Sequence, residues 1–128
     1  MKDASGFGYE KLLVWQRSVE WVCKIINAAG SIDTARKHYR LVEQLEAASA
    51  SVSMNIAEGK GRYSKKEFVR FLFIARGSIY EALALLEIFY RHKWIDASTL
   101  NELRLEATEI VKMLNSLINS IKSVQNEL

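Results

Sequence analysis

The chain contains no proline, only one cysteine and only six glycines. Without proline, nothing in the sequence forces a helix to kink or stop, so long unbroken helices are the expected architecture. A lone Cys23 excludes an internal disulfide and a cysteine-based zinc site, and it fits a reducing cytosol. It lies in an apolar helical segment with no base beside it in sequence, which points to a buried thiol. Long uncharged apolar runs are missing too. The densest apolar region, Phe68 to Trp94, is interrupted by Arg70, Arg76, Glu81 and Glu87, so it reads as a helix buried in protein and not as a membrane span. The opening residues, Met1-Lys-Asp-Ala-Ser-Gly6, have no apolar core of the kind a secretory signal needs, so a cytoplasmic location with no membrane partner is expected.

Catalytic sets are also lacking. A metal site in a helical bundle would use inward Glu-x-x-His pairs on facing helices, and the sequence has none. The two histidines, His38 and His92, fall at predicted helix ends, where they meet a first or last turn. No carboxylate pair or nucleophile–base set can be placed in a common pocket. The reading is therefore a non-enzyme with no cofactor and no metal.

What is present is helical periodicity. A chain of 128 residues, 49% apolar and 26% charged, is one domain able to bury its own core. Residues 1–8 read as a loose tail and residues 9–128 as a four-helix bundle domain. In the first helix Leu12, Trp15, Val19, Val22 and Ile26 recur at steps of three and four, with Leu13, Trp21 and Ile25 as a second apolar line, up to a stop near Ala29-Gly30. Residues 31–37 are polar and connect, with Asp33 able to cap a short turn. The second helix runs from about His38 to Glu58 on the stripe Leu41, Leu45, Ala48, Val52 and Ile56. Its other faces are small (Ala47, Ser49, Ala50, Ser51, Ser53, Ala57), which suits a central position or a contact with another subunit. The third helix carries Phe68, Leu72, Ala75, Ile79, Ala82, Leu86 and Phe89 at bundle spacing. Asp96 or Ser98 can cap a fourth, with Leu100, Leu103, Ala107, Ile110, Leu114, Leu117, Ile121 and Val124 in its stripe. Short connections favour antiparallel neighbours, so the predicted fold is all-α, an antiparallel up-down-up-down four-helix bundle.

Two features go beyond the fold. On the third helix Ile74, Gly77, Ala84 and Ile88 fall away from the core stripe yet are apolar or small, which argues for contacts in a homo-oligomer. Gly77 costs about 1 kcal/mol relative to alanine in mid-helix, and a close backbone approach would account for it. The second feature is the turn between helices two and three. Gly59 and Gly61 suit a left-handed helix stop, and Ser64-Lys65-Lys66-Glu67 has capping-box spacing. Residues 60–76 carry six cations against Glu67 alone, so the rest of the chain is net acidic although the whole is +3. The spacing matches neither a phosphate-binding loop nor a dinucleotide fingerprint, and no strand precedes it. Lys60, Arg62, Lys65, Lys66 and Arg70 are the candidate contacts to RNA or DNA, with salt-sensitive, largely sequence-independent binding that repetition in an oligomer would multiply. The bland alternative is a helix stop followed by a solvated hairpin. Arg76, on the flank of the core stripe, falls level with Ala47 and is expected to pair structurally with Glu43 or Gln44.

Several segments carry a resemblance: Leu13-Val-Trp-Gln16; Gln44-Leu45 leading into Ala48; Asn55-Ile-Ala-Glu-Gly59 with Gly61-Arg62, Ser64 and Phe68; and Ile74-Ala-Arg-Gly-Ser78 followed by Glu81. Together they resemble the four-helix bundle family that includes proteins encoded within intervening sequences of bacterial 23S ribosomal RNA, and they are also similar to the accessory proteins of diversity-generating retroelements. The resemblance implies an antiparallel bundle assembling into a barrel-like homopentamer with a basic surface for nucleic acid and, in the retroelement branch, a reverse transcriptase as partner. It does not imply an enzyme. It marks Asn55, Glu58, Gly59, Arg62, Arg76, Gly77 and Ser78 as signature positions of fold, assembly or binding. Where family members often carry a basic pair after Gln-Leu, this chain has Glu46-Ala47. The resulting expectation is a homo-oligomeric bundle that binds RNA or DNA weakly through the basic hairpin. The alternative is a protein–protein scaffold or reverse-transcriptase accessory protein that does not itself contact nucleic acid.

Overall fold

Apolar residues spaced three and four apart, uninterrupted by proline, leave the backbone one economical way to satisfy its own N–H and C=O groups while presenting a single apolar face. The computed structural model describes residues 6–32 and 35–127, with the side chains of 35–37 and 125–127 outside that set. Within it the helices are α1 (Leu13–Gly30), α2 (Ala35–Lys60), α3 (Lys65–Arg91) and α4 (Ala97–Glu127), preceded by a 3-10 turn at Gly8–Lys11. Each helix packs on its two neighbours in a ring, α1 on α2 and α4, and α3 on α2 and α4, with α2 and α3 in the most extensive contact. With short connections, this ring is the predicted up-down-up-down bundle. Of the expected tail at residues 1–8, residues 1–5 lie outside the described residues, as does the cap at Asp33, while Gly8 already opens the 3-10 turn.

The α3 stripe is buried as read from sequence: Phe68, Leu72, Ala75, Ile79, Ala82, Leu86 and Phe89 all face the core, and Val69, Phe71 and Leu85 join them. The α1 reading needs correction. Its buried line is Val14, Ser18, Trp21, Val22, Ile25 and Ala29, while Ile26 and Leu13 are exposed and Leu12, Trp15 and Val19 are only partly covered. Both apolar lines have helical spacing, and the difference comes from Ser18. Its hydroxyl donates to the Trp15 carbonyl at 2.7 Å, so a polar residue can sit fully buried in the middle of the true face. Cys23 consequently lies on the outer side of α1 and is exposed, not buried as expected. In α4 the stripe shifts by one residue near its end, so that Ile118 is buried, Leu117 is partly covered and Val124 is exposed.

On the α1–α4 seam, Arg17 pairs with Glu109, and Lys24 with Glu102 at 3.2 Å and with Glu106. The hydrogen bonds from Glu109, and from Glu106 and Glu102, raise the Arg17 and Lys24 pKa values. These pairs are solvated, so they orient the two helices more than they stabilise them.

Helix ends explain the connections. Asp96 caps α4 by accepting from the Thr99 N–H at 2.7 Å, and that bond lowers the carboxyl's pKa. A lowered folded-state pKa means that the cap's contribution is present above the ordinary aspartate value of about 3.9 and is lost as pH falls through the lowered one. At the end of α3, the Trp94 N–H reaches the Phe89 carbonyl and the Lys93 N–H reaches that of Tyr90, both at 2.9 Å. This is the Schellman pattern, which normally places glycine at its left-handed residue, but here Lys93 holds it at φ 62°. The left-handed conformation costs an L-residue about 1–2 kcal/mol, so Lys93→Gly is expected to raise stability by up to about 1 kcal/mol in urea denaturation. Equal or lower stability of the variant would show that Lys93 makes an offsetting contact. The start of α2 departs from the expected one near His38: the helix opens at Ala35, inside the expected 31–37 connection, and is kinked at His38, which has non-helical angles (φ −126°, ψ 21°) and whose ring lies 4.8 Å from that of Trp94.

Candidate nucleic-acid interface

At the hairpin between α2 and α3 the glycines act differently from the sequence expectation. Among the described residues no glycine has positive φ, so Gly59 and Gly61 do not form a left-handed stop. Helix α2 runs through Gly59 to Lys60, and Gly61 opens the turn just past its end, with its N–H still bonded to the carbonyls of Ala57 and Glu58 at 3.2 and 3.1 Å. Gly59 is required for space. A Cβ there would stand 2.6 Å from Phe71 Cβ and 3.1 Å from Phe68 Cδ1, so its lack of a side chain lets α3 close on α2 just before the turn. Ser64 then caps α3 by accepting from the Glu67 N–H at 3.0 Å, while the Glu67 carboxylate lies 4.0 Å from the Arg62 guanidinium.

The five candidate cations gather at this end of the bundle but divide between two faces. Lys66 and Arg70 line a groove on α3 with Phe73 and Ile74. Lys60, Arg62 and Lys65 line a depression whose other walls are Leu12, Tyr63, Ser64, Phe68, Leu117 and Ile121. Their availability also differs. Arg62 is paired with Glu58 at 2.6 Å and lies 4.8 Å over the Phe71 ring, so its charge is largely matched within the hairpin. Lys60 lies 5.7 Å over Phe68, and Arg70 is 6.0 Å from Phe71. Among the described residues Lys60, Lys65, Lys66 and Arg70 have no acidic partner. The sequence reading missed Tyr63, whose side chain stands fully clear of the protein at the turn. The available signal was an aromatic set between cations, in Arg62-Tyr63-Ser64-Lys65-Lys66.

The remaining signature residues knit the hairpin. The Ser78 hydroxyl donates to the Ile74 carbonyl at 3.1 Å, which uses its one proton. The Ser51–Ser78 contact of 2.9 Å is therefore donated by Ser51, and Ser51 in turn accepts from Asn55 Nδ2 at 2.8 Å. A directed chain thus crosses from α2 to α3. Arg76 corrects another expectation. It points to α4 and donates to Asn115 Oδ1 at 2.8 Å with its guanidinium 4.8 Å over Phe73, while Gln44, its predicted partner, reaches Glu81 at 3.4 Å. The level of Arg76 along α3 did not set which flank it occupies. Gly77 has nothing within 4 Å of a would-be Cβ, so no close approach inside this chain explains it. Together with exposed Ala84, and with Ile74 and Ile88, each 41% exposed, it forms an uncovered strip on the outside of α3.

The 23S rRNA-intervening sequence protein family matches residues 10–116, a stretch that holds all of the hairpin and the signature positions. The chain belongs to this family. A crystal structure from Bacteroides thetaiotaomicron, of a protein with unknown function from the S23 ribosomal protein family, is similar at a TM-score of 0.77 and 26% identity, covering 83% of this chain and 98% of the other. No curated protein matches the chain. The likeness to that crystal structure agrees with the four-helix architecture, and because its function is unknown the activity has to be argued from the surface.

Among the described residues no helix is long and apolar enough to cross a membrane.

Proposed function

We propose that this family member is a non-enzymatic, homo-oligomeric bundle that binds RNA or DNA through the α2–α3 hairpin. The observation that carries the reading is the set of four cations at one end of the bundle, Lys60, Lys65, Lys66 and Arg70, without acidic partners among the described residues. Solvated cations of this kind attract phosphate and release counterions on binding, so affinity falls steeply with salt. One chain offers few such groups. The uncovered α3 strip supports the oligomer that would multiply them, and a pentamer is the order the family resemblance favours.

The test is titration of a structured RNA at 50 and 200 mM salt. Wild type is expected to bind at low salt and weaken at least tenfold at the higher one, since each phosphate contact contributes a slope of about 0.7–0.9. Neutralising Lys60, Lys65, Lys66 and Arg70 to glutamine is expected to abolish binding while leaving the helical circular dichroism unchanged. No binding at low salt, or undiminished binding by the neutralised variant, would overturn the reading. Light scattering checks the assembly, where a monomer at 100 μM would remove its oligomeric part.

The same exposed strip favours a second reading, a protein–protein scaffold that does not contact nucleic acid itself. In that case a protein partner should be retained on the chain after nuclease treatment, and glutamine at the four cations should leave its capture intact.

A further inference from the structure

The proposed function leaves open which form of nucleic acid the hairpin would take, and the depression beside the turn bears on that choice. Its rim carries Lys60 and Lys65, and its floor is apolar, made by Phe68, Leu117 and Ile121. Phe68 and Ile121 are themselves buried, so the floor belongs to the bundle core and is rigid. The volume, about 300 Å³, is at the lower end of ligand-sized clefts. Tyr63 stands at the edge at 106% relative exposure, with no ring contact or hydrogen bond to another described residue. A large aromatic ring held entirely in water at a tight turn, between cations, offers a free π-face.

Duplex geometry fits this arrangement poorly. In a double helix the base faces are stacked against one another, so a protruding ring finds none to cover, and a duplex backbone is engaged by a longer row of cations. Here Arg62 is already paired with Glu58, which leaves the two rim lysines for phosphates on this side. An unpaired nucleotide meets all three features: its base has a free face for Tyr63, an apolar edge for the floor, and flanking phosphates within reach of lysines on both sides of the turn.

Resting on the nucleic-acid reading above, we propose that this depression is a site for an unpaired nucleotide, with Tyr63 stacking on the base and Lys60 and Lys65 holding the adjacent phosphates. The hairpin then selects single-stranded segments or loops over duplex.

The experiment measures fluorescence anisotropy of a labelled adenosine decamer, as RNA and as DNA, alone and annealed to its complement, against the full chain at one fixed low salt. Wild type is expected to prefer the single strand. Tyr63→Ala is expected to lose about tenfold or more of single-strand affinity with little change for duplex, and Tyr63→Phe to retain it, because stacking needs the ring and not the hydroxyl. The ring touches nothing else, so the variants should melt like wild type, which circular dichroism verifies. If the single strand and duplex bind alike, or Tyr63→Ala binds the single strand as well as wild type, the nucleotide site is overturned while the broader reading stands. If wild type binds neither form of RNA or DNA, both fall together.

Discussion

Replacing Trp21 with alanine is expected to remove about 3–5 kcal/mol of stability, the largest loss from any single substitution considered. Trp21 is fully buried in the centre of α1, and its indole N–H donates to the Leu103 carbonyl on α4 at 3.0 Å. Truncation would leave a cavity the size of an indole in the apolar core that α1 and α4 share, where Trp21 is the largest fully buried side chain. A domain of this size is usually stable by about 5–15 kcal/mol, so the variant would sit near the edge of folding. Urea denaturation at fixed protein concentration measures the effect, the concentration being held because any assembly shifts apparent stability. Trp21→Phe is the control. It keeps most of the apolar contact and loses only the indole hydrogen bond, whose acceptor on α4 retains its intrahelical partner, so about 1–2 kcal/mol is expected. A loss below about 1 kcal/mol for the alanine variant would mean that the α1–α4 seam repacks freely.

Gly59→Ala should destabilise by about 1–3 kcal/mol, against the direction helix propensity alone predicts. Inside a helix alanine gains about 1 kcal/mol over glycine, and Gly59 lies within the last turn of α2. Packing wins because the new methyl would stand 2.6 Å from Phe71 Cβ, an atom fixed to the α3 backbone that cannot rotate away. Relief requires α3 to move off α2 at the turn. Gly61→Ala provides the contrast, since its Cβ would meet only carbonyls at 3.5 Å or more, and a change within about 0.5 kcal/mol is expected. If Gly59→Ala were as stable as wild type in the same urea series, close approach would not be the reason for glycine at this position. Because the hairpin carries the candidate interface, the destabilised variant should also bind single-stranded RNA less well.

How much of the site was legible beforehand varies by residue. The cations at Lys60, Arg62, Lys65, Lys66 and Arg70 are visible in the sequence as a local excess of charge, but their pairing is not. Arg62 meets Glu58 because they lie four residues apart at a helix end, and it meets Glu67 because the turn folds back, which only the bundle brings about. Tyr63 is an ordinary aromatic in sequence and becomes a candidate ligand contact only when the turn is seen to leave it uncovered. Arg76 is expected level with Ala47 and facing α2, but Ser78 meets Ser51 and Gln44 reaches Glu81, so both its height against α2 and its flank differ. Counting residues from the turn gives only a rough height along the axis, and rotation about it determines that Asn115 is the partner and not Gln44.

Sequence alone determined that this chain is all-helical, where most helices begin and end, and which face of α3 is inward. Those properties depend on local backbone chemistry and on a periodicity strong enough that only one face can be buried. The tertiary structure decided which of two apolar lines on α1 enters the core, why Gly59 must be glycine, and how the basic residues divide into paired and available sets. Each of these depends on what the neighbouring helix presents at the same height, a relation between residues far apart in the chain that periodicity does not contain.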